Sequence, residues 1–523
     1  MKKYGKKTVD IISEIEIYNY FNYRVRYIDQ INDKDEFVAD LILDISVMKN
    51  NMFSLSDYQP KCTEDKELFA SLYTGYEKYK DAGSKIDFDD MLVMAKEVLD
   101  TNPEILLYLR SCYSYIQVDE YQDTNYIQRD IVYSLAGENG NLAVVGDDDQ
   151  SIYMFRGAKP EIMLNFKKDY PNCKVIHMST NYRSLQEIIQ KADNLVQHNS
   201  QRFAKKFIGS REEKGKVIFR NYLNSTSQLG GVIHKIRSLL DEGIKPEQIA
   251  ILYRTNKESM PFAEYFMNEK IPFQCNERLK SKYHHWIFQD IQAYQNLSRG
   301  RKDSVAFDRI LNHPNRFFYG KAFQSVNPDI DSLNQAIYRQ SGKAHWQIQK
   351  GLKNATELFR HLKVLSKLNP VEFINYLYRA VGYDEYLKQY ADLRKLDKKE
   401  LTDIWDNFHN EAKLYGSWNE WGRHIMAYNK QLQQANKNKD GIMLSTMHRS
   451  KGLEWEYVFI INCINGTIPH TNATEFEDIE EERRLFYVAM TRAKDSLYLT
   501  AYKKDGEGDK ETNVSPFIEE CNI

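Results

Sequence analysis

Apolar residues in roughly the first 110 positions recur at mixed spacings of three and four, as in FVADLILDISVMKNNM and LFASLYTGYEKYK. That periodicity predicts a mainly helical start. Between about 115 and 180 the texture changes. YIQVDE, NLAVVGD and KVIHMS are short apolar runs that end in polar residues, with helical stretches between them. Strand, loop and helix in alternation predict a parallel sheet covered by helices. A second series begins near 216 with KVIFR and QIAILYR, and resumes near 441 with GIMLST, EYVFII and SLYLTA. Between its two parts, residues 282–438 are rich in helix formers and aromatics and poor in strand signals, as expected of a helical insertion. The polar stretch LQQANKNKDG (432–441) suits its exit linker, and YKKDGEGDKETN (502–513) reads as an exposed loop. No internal repeat interrupts this plan.

Composition narrows the classes without changing the plan. The 523 residues suit about three or four domains. Lys and Arg number 72 against 74 Asp and Glu, a net charge of −2. A chain basic throughout is thereby excluded, but a local basic groove is not. With 28% charged residues, 42% hydrophobic, 24 Gly and 12 Pro, disordered, collagen-like and linker-dominated classes are excluded as well. The 36 tyrosines leave aromatic faces for packing or stacking. The six cysteines lie far apart, with no CxxC pair, so neither a zinc site nor a disulfide scaffold is expected. Glu14 and Glu16 break any leader-like apolar core, and no run of 18 apolar residues occurs. The expectation is a cytoplasmic protein that does not enter a membrane.

Two strand ends concentrate the candidate chemistry. YIQVDEYQDTN (115–125) brings an apolar strand to adjacent acids, Asp119 and Glu120. Ligands sit at the carboxyl ends of strands in open parallel sheets. There one carboxylate can hold Mg²⁺ and the next can orient or deprotonate a water attacking a γ-phosphate. A bare acidic pair is more commonly an ordinary strand exit; the full string is more specific. AVVGDDDQSIYMFRGA (143–158) repeats the theme, with Gln150 able to bond a terminal phosphate or the attacking water. Tyr153, Phe155 and Arg156 form an aromatic and basic set suited to single-stranded nucleic acid, although core packing would also explain the two rings.

These two strings resemble motifs II and III of the UvrD/PcrA/Rep family of superfamily 1 DNA helicases. STNYRS (179–184), IAILYRTNKES (249–259), STMHRSKGLEWEYVFI (445–460) and EERRLFYVAMTRAK (481–494) follow in the family's order, and SPFIEE (515–520) resembles the segment that ends its motor. The resemblance spans essentially the whole chain and is loosest in the helical insertion. It implies an α/β fold of two RecA-like parallel-sheet motor domains, of the P-loop NTPase type, with helical insertions. The implied parts are 1–88 and 89–210 (helical insertion and core of an incomplete first motor domain), 211–281 and 439–523 (the second motor domain), and 282–438 (its insertion). It implies ATP and Mg²⁺ as cofactors, with Asp119 on the metal and Glu120 as catalytic base. Gln150 would couple the γ-phosphate to the DNA groove. Arg183 and Arg492 would act as arginine fingers, Tyr182 would stack on adenine, and Glu454 would accept from the ribose. Tyr153, Phe155, Arg156, Thr446, His448 and Lys451 would line the DNA side, with Phe155 where the family commonly has Trp. The implied activity is 3′ to 5′ translocation on single-stranded DNA and unwinding at single–double-strand junctions, as in DNA repair.

The family's P-loop, G-x-x-x-x-G-K-[ST], does not occur in the sequence. The nearest string, Tyr4-Gly5-Lys6-Lys7-Thr8, has Lys7 where Ser or Thr is needed. A P-loop supplies backbone amides and a lysine to the phosphates. The expectation is therefore a chain whose unaided ATP turnover is weak or absent and whose P-loop segment is missing, with a protein partner supplying it as one option. Two other readings stand beside this: a nonhydrolysing descendant that binds nucleic acid or a partner, and one part of a split helicase. A helicase–nuclease subunit is disfavoured, since no nuclease segment follows the last motor strand.

Overall fold

The structure, a computed structural model, describes residues 9–25, 28, 34–137, 140–211, 215–277, 279–323, 326–340, 344–394, 398–504 and 511–523. The nearest P-loop string lies outside them. The chain divides into two compact units, Met1–Glu277 with Asn438–Ile523, and Arg278–Lys437.

The first unit opens on helices Glu14–Val25, Lys34–Asn50, Lys66–Ala82 and Phe88–Thr101. Phe21, Leu41, Ile45, Phe69 and Tyr76 pack into one core between them. Lys49 and Lys80 are buried there, and both reach Glu77, Asp87 and Asp90 at 2.5–3.1 Å. Asp87 also caps the Phe88–Thr101 helix through a reciprocal box with Asp90. The cations and the cap thus share the same carboxylates.

Beyond these helices lie β1 (Ile116–Val118) and β2 (Leu142–Val144), paired in parallel. Each leads into an acidic loop. The expected strand KVIHMS does not form; residues 174–179 have no regular structure. Val175, Ile176 and Met178 stay 51%, 72% and 79% exposed, and a strand without a ladder partner has no hydrogen bonds to hold it. Tyr113 and Tyr115 before β1 and Val145 after β2 are also exposed.

The second series builds an all-parallel sheet of six strands: β3 (Lys216–Asn224), β4 (Ile249–Tyr253), β5 (Phe273–Cys275), β6 (Ile442–Thr446), β7 (Trp455–Ile460) and β8 (Ala493–Lys504). Their order is β3-β8-β7-β4-β6-β5. IAILY and IMLST are buried at every position, as expected where helices cover both faces of a parallel sheet. The helix Phe476–Met490 lies in this core with Gln186–Val196, whose Ile188, Leu195 and Val196 join Leu252, Val458, Ile460, Leu497 and Leu499.

Among its described residues, every regular element of the second unit is a helix. Its exit differs from the polar linker expected at 432–441. The helix Trp418–Ala435 continues through Leu432 and Ala435, both buried on the same stripe as Trp421 and Tyr428. All six cysteines are free. Among the described residues no helix is long and apolar enough to cross a membrane.

Candidate nucleotide cleft and nucleic-acid groove

At the end of β1 the chain turns sharply. Glu120 adopts φ 51° and ψ 40°, a left-handed conformation that non-glycine residues seldom hold without compensation. The compensation is local. Asp119 Oδ1 accepts the Glu120 N–H at 2.9 Å, Tyr121 N–H donates to the Val145 carbonyl at 2.9 Å, and the Gln122 amide donates to the Glu120 carboxylate. Both acids remain exposed. At the end of β2, Gly146 lies against Gln122, where a Cβ would come within 2.4 Å of Oε1. The two acidic loops therefore sit in contact.

Gln150 donates from Nε2 to Asp147 Oδ2 at 2.8 Å. Asp147, Asp148 and Asp149 could gather a cation as a group, but protein cations already meet them. Lys205 lies 2.5 Å from Asp147 and 2.9 Å from Asp149 and also pairs with Asp148, while Arg202 makes a two-pronged pair with Asp149 at 3.0 and 2.8 Å. Sequence reasoning passed over Arg202 and Lys205, two lone cations in a polar stretch.

The NYRS segment is shaped by its own asparagine. Asn181 Oδ1 accepts the N–H groups of Arg183 and Ser184 at 2.9 and 3.0 Å. Ser184 Oγ donates to the Ala493 carbonyl at 2.6 Å, and Leu185 N–H to that of Lys494 at 3.0 Å. This docks Arg183 beside the start of β8, where Arg492 lies. Arg183 pairs with Glu454 at 2.5 Å, and Lys494 holds the other Glu454 oxygen at 2.8 Å. Those two cations keep the Glu454 carboxyl below its ordinary value. Tyr182 is 76% exposed.

Arg492 is only 1% exposed, and its guanidinium donates to the Val488 and Leu453 carbonyls and the Thr491 hydroxyl at 2.9–3.2 Å. None of these partners is an anion. Burial, followed by the like charge of Arg183, lowers its pKa to about 10. Arg183 and Arg492 are thus neighbours, the first paired with Glu454 and the second desolvated with, among the described residues, no carboxylate in hydrogen-bond contact, an arrangement that favours added anionic charge.

On the other side, Tyr153, Phe155, Arg156, Thr446, His448 and Lys451 all line one open groove of about 670 Å³. The groove also takes Asn276, Glu277, Arg449 and Leu453, four residues not anticipated from the sequence. The three-residue β5, which leads to Asn276 and Glu277, gave no periodic signal. The Arg156 guanidinium lies 5.4 Å from the ring centres of both Tyr153 and Phe155, and Phe155 meets His448 edge-on at 5.6 Å. Phe155 is 39% exposed, so core packing does not account for it. Burial, aided by the charges of Arg254 and Arg156, lowers the His448 pKa to about 3; His448 is neutral at ordinary pH. Thr446 Oγ1 donates to Glu277 at 3.2 Å, and Arg449 pairs with the same carboxylate at 3.0 Å.

Lys451 joins the groove to the cleft. Its ammonium donates to Asp123 Oδ2 at 2.5 Å and to the Gln150 carbonyl at 2.8 Å, stands 3.6 Å from Glu120, and lies 5.1 Å from the Tyr153 ring centre. A second junction is Glu481, on the Phe476–Met490 helix, whose carboxylate accepts the Met154 N–H at 2.9 Å. The short turn bearing Phe155 and Arg156 is thus pinned to the helix that leads to Arg492.

A strand-end acid pair, two neighbouring arginines and an aromatic–basic groove thus lie together on a parallel α/β scaffold. The chain belongs to the UvrD-like helicase family: the UvrD/REP helicase N-terminal domain matches residues 1–171 and the UvrD-like helicase C-terminal domain matches residues 176–504. Among its relatives, the putative ATP-dependent DNA helicase YjcD of Bacillus subtilis is 33% identical over 489 residues, 91% of this chain and 63% of that protein. The ATP-dependent DNA helicase PcrA of Staphylococcus aureus is 31% identical over 473 residues, 87% of this chain and 64% of that protein. A probable DNA helicase II homolog of Mycoplasma capricolum is 31% identical over 507 residues, 94% and 70% respectively. The chain spans just under two-thirds of the length of the first two.

Proposed function

We propose that the chain works as an ATP-dependent translocase and helicase on single-stranded DNA, moving 3′ to 5′ and acting at single–double-strand junctions. The observation that carries this reading is Lys451, which lines the aromatic groove and at the same time reaches Asp123, the Gln150 carbonyl and Glu120. A group bound in the groove and one bound in the cleft then bear on the same side chain.

In this reading 1–88 and 282–438 are insertions in two motor domains built from 89–210 and from 211–281 with 439–523. Asp119 and Glu120 suit a hydrated Mg²⁺ and its attacking water, since both carboxylates face solvent beside one another. When bound, Mg²⁺ would neutralise charge on the phosphates. Arg183 and Arg492 would receive the γ-phosphate, with Arg183 exchanging Glu454 for phosphate and freeing that carboxylate for the ribose. Tyr182 offers an exposed ring to adenine. Gln150, now on Asp147, would turn to the phosphate or the water. In the groove, bases would stack on Tyr153 and Phe155, at about 1–3 kcal/mol per base.

The sequence contains no G-x-x-x-x-G-K-[ST] string, and we expect ATP turnover by this polypeptide alone to be weak. The test is ATPase activity with and without single-stranded DNA, alongside DNA binding by fluorescence anisotropy. Salt-sensitive DNA binding with little turnover is the expected result. Robust DNA-stimulated turnover that Glu120→Gln abolishes would overturn the weak-turnover expectation. Absence of DNA binding at low salt would overturn the motor reading itself.

A further inference from the structure

In the helical unit, the helices Trp286–Ser298 and Trp418–Ala435 leave an open pocket of about 590 Å³ between them. The volume falls in the range that holds a bound ligand or a few peptide side chains. From the first helix, Phe288, Gln292, Gln295 and Asn296 face it; these follow one another at helical spacing along a single face. From the second come Trp418, Asn419, Gly422, Arg423, Ile425 and Met426, and Arg299 and Arg301 stand at the rim.

The charge there has one sign. Three arginines and four side-chain amides line the pocket, and no acid does. Arg301 donates to Asn296 Oδ1 at 3.0 Å. Arg299 and Arg423 are exposed, and among the described residues neither makes an ion pair. An arginine without a carboxylate partner keeps its planar fork of donors for an incoming oxyanion.

The apolar part discriminates between classes of anion. Single-stranded nucleic acid would need free aromatic faces. Here Trp418 is packed against Phe373 and stacked on Trp421, and Phe288 is enclosed by Tyr283, Phe408 and Trp421. The apolar groups left open are aliphatic: Ile425, and Met426 at 66% exposure. Methionine adapts its shape to an incoming side chain. Gly422 deepens the space, because a Cβ there would meet nothing within 4 Å.

We infer that this pocket is a docking site for a partner protein's acidic segment, with an apolar side chain entering over Gly422 and Met426 and flanking carboxylates meeting Arg299, Arg301 and Arg423. The inference is independent of the motor reading, since it rests on residues that contribute nothing to the groove or the cleft.

The full chain is titrated into a fluorescein-labelled peptide of aspartates around one phenylalanine, with a peptide of lysines around phenylalanine and a labelled single-stranded oligonucleotide run in parallel. The aspartate peptide is expected to bind at low salt and to be released by added salt. Arg423→Glu and Arg299→Glu each weaken it by about tenfold, through loss of an attractive charge and gain of a repulsive one. Gly422→Leu abolishes it by filling the pocket, while raising helix propensity, so a folding defect is not expected. The lysine peptide does not bind, and oligonucleotide affinity is unchanged in all three variants. Failure of the aspartate peptide to bind overturns the inference. So does binding that survives Gly422→Leu and both charge reversals. An oligonucleotide affinity that falls in the charge-reversal variants overturns it in favour of a nucleic-acid site.

Discussion

Glu481 bears two opposing influences. Burial, more than any other influence, raises its pKa to about 7, with Glu482 adding to the rise; the N–H groups of Met154 and Phe155 and the charge of Arg484 act against it. A carboxyl whose folded pKa lies above its unfolded value favours the folded state while protonated. That contribution is complete below about pH 4.5, declines as pH rises, and is gone above about pH 7. At about 1.4 kcal/mol per pH unit, the loss is on the order of 3 kcal/mol. Glu481→Gln keeps an acceptor for the Met154 N–H and removes the charge. Urea denaturation across pH 4.5–8 should show the wild type losing stability relative to Glu481→Gln through this window, with the variant more stable above pH 7. Parallel curves for the two proteins would refute this. Asp119 and Glu120 were legible because together they end an apolar run. Glu481 was not, because its partner is a backbone N–H more than three hundred positions earlier in the chain.

At the scale of elements, the lysines of the N-terminal helices are the sharpest case. Burial disfavours a charged Lys49, yet Asp87, Asp90 and Glu77 outweigh it and raise its pKa. Lys80, 2% exposed, meets the same three acids. Removing one member of a buried ion cluster leaves its partners uncompensated, at about 3–5 kcal/mol. Lys80→Ala should therefore lower thermal stability by about that amount, while Lys96→Ala, in an exposed helical pair with Asp100, should change it by less than about 0.5 kcal/mol. A scan of the two variants by circular dichroism decides between them. Strands were readable where both faces are covered, as in IAILY and IMLST. KVIHMS also holds an apolar run but lacks a ladder neighbour, and composition does not record pairing. The helix end at Ala435 escaped notice because only three of its last residues are apolar, though they fall on the stripe begun by Trp421.

For the molecule as a whole, a net charge of −2 coexists with a groove that presents Arg156, Arg449 and Lys451. Displacing ions from single-stranded DNA gives a salt slope of about −0.7 per phosphate neutralised. Arg156 alone predicts a slope of about −0.7 in a log–log plot of affinity against salt, and about −2 if Arg449 and Lys451 also exchange Glu277 and Asp123 for phosphate. Arg156→Ala should make it shallower by about 0.7, since the interactions of Arg156 within the protein are with the Tyr153 and Phe155 rings rather than with a carboxylate. A slope unchanged in the variant would remove Arg156 from the phosphate path.

The exposed apolar side chains flanking β1 and β2 and in residues 174–179 have a consequence of a different kind. Tyr113, Tyr115, Val145, Val175, Ile176 and Met178 are apolar groups left in water within a folded molecule, and apolar surface exposed in this way favours self-association wherever it is contiguous. Encounters between two such surfaces scale with the square of concentration, whereas folding does not depend on concentration. For a cell making this polypeptide, the rate of synthesis and the supply of chaperones would therefore decide how much of it stays dispersed, even with every core in the molecule well packed.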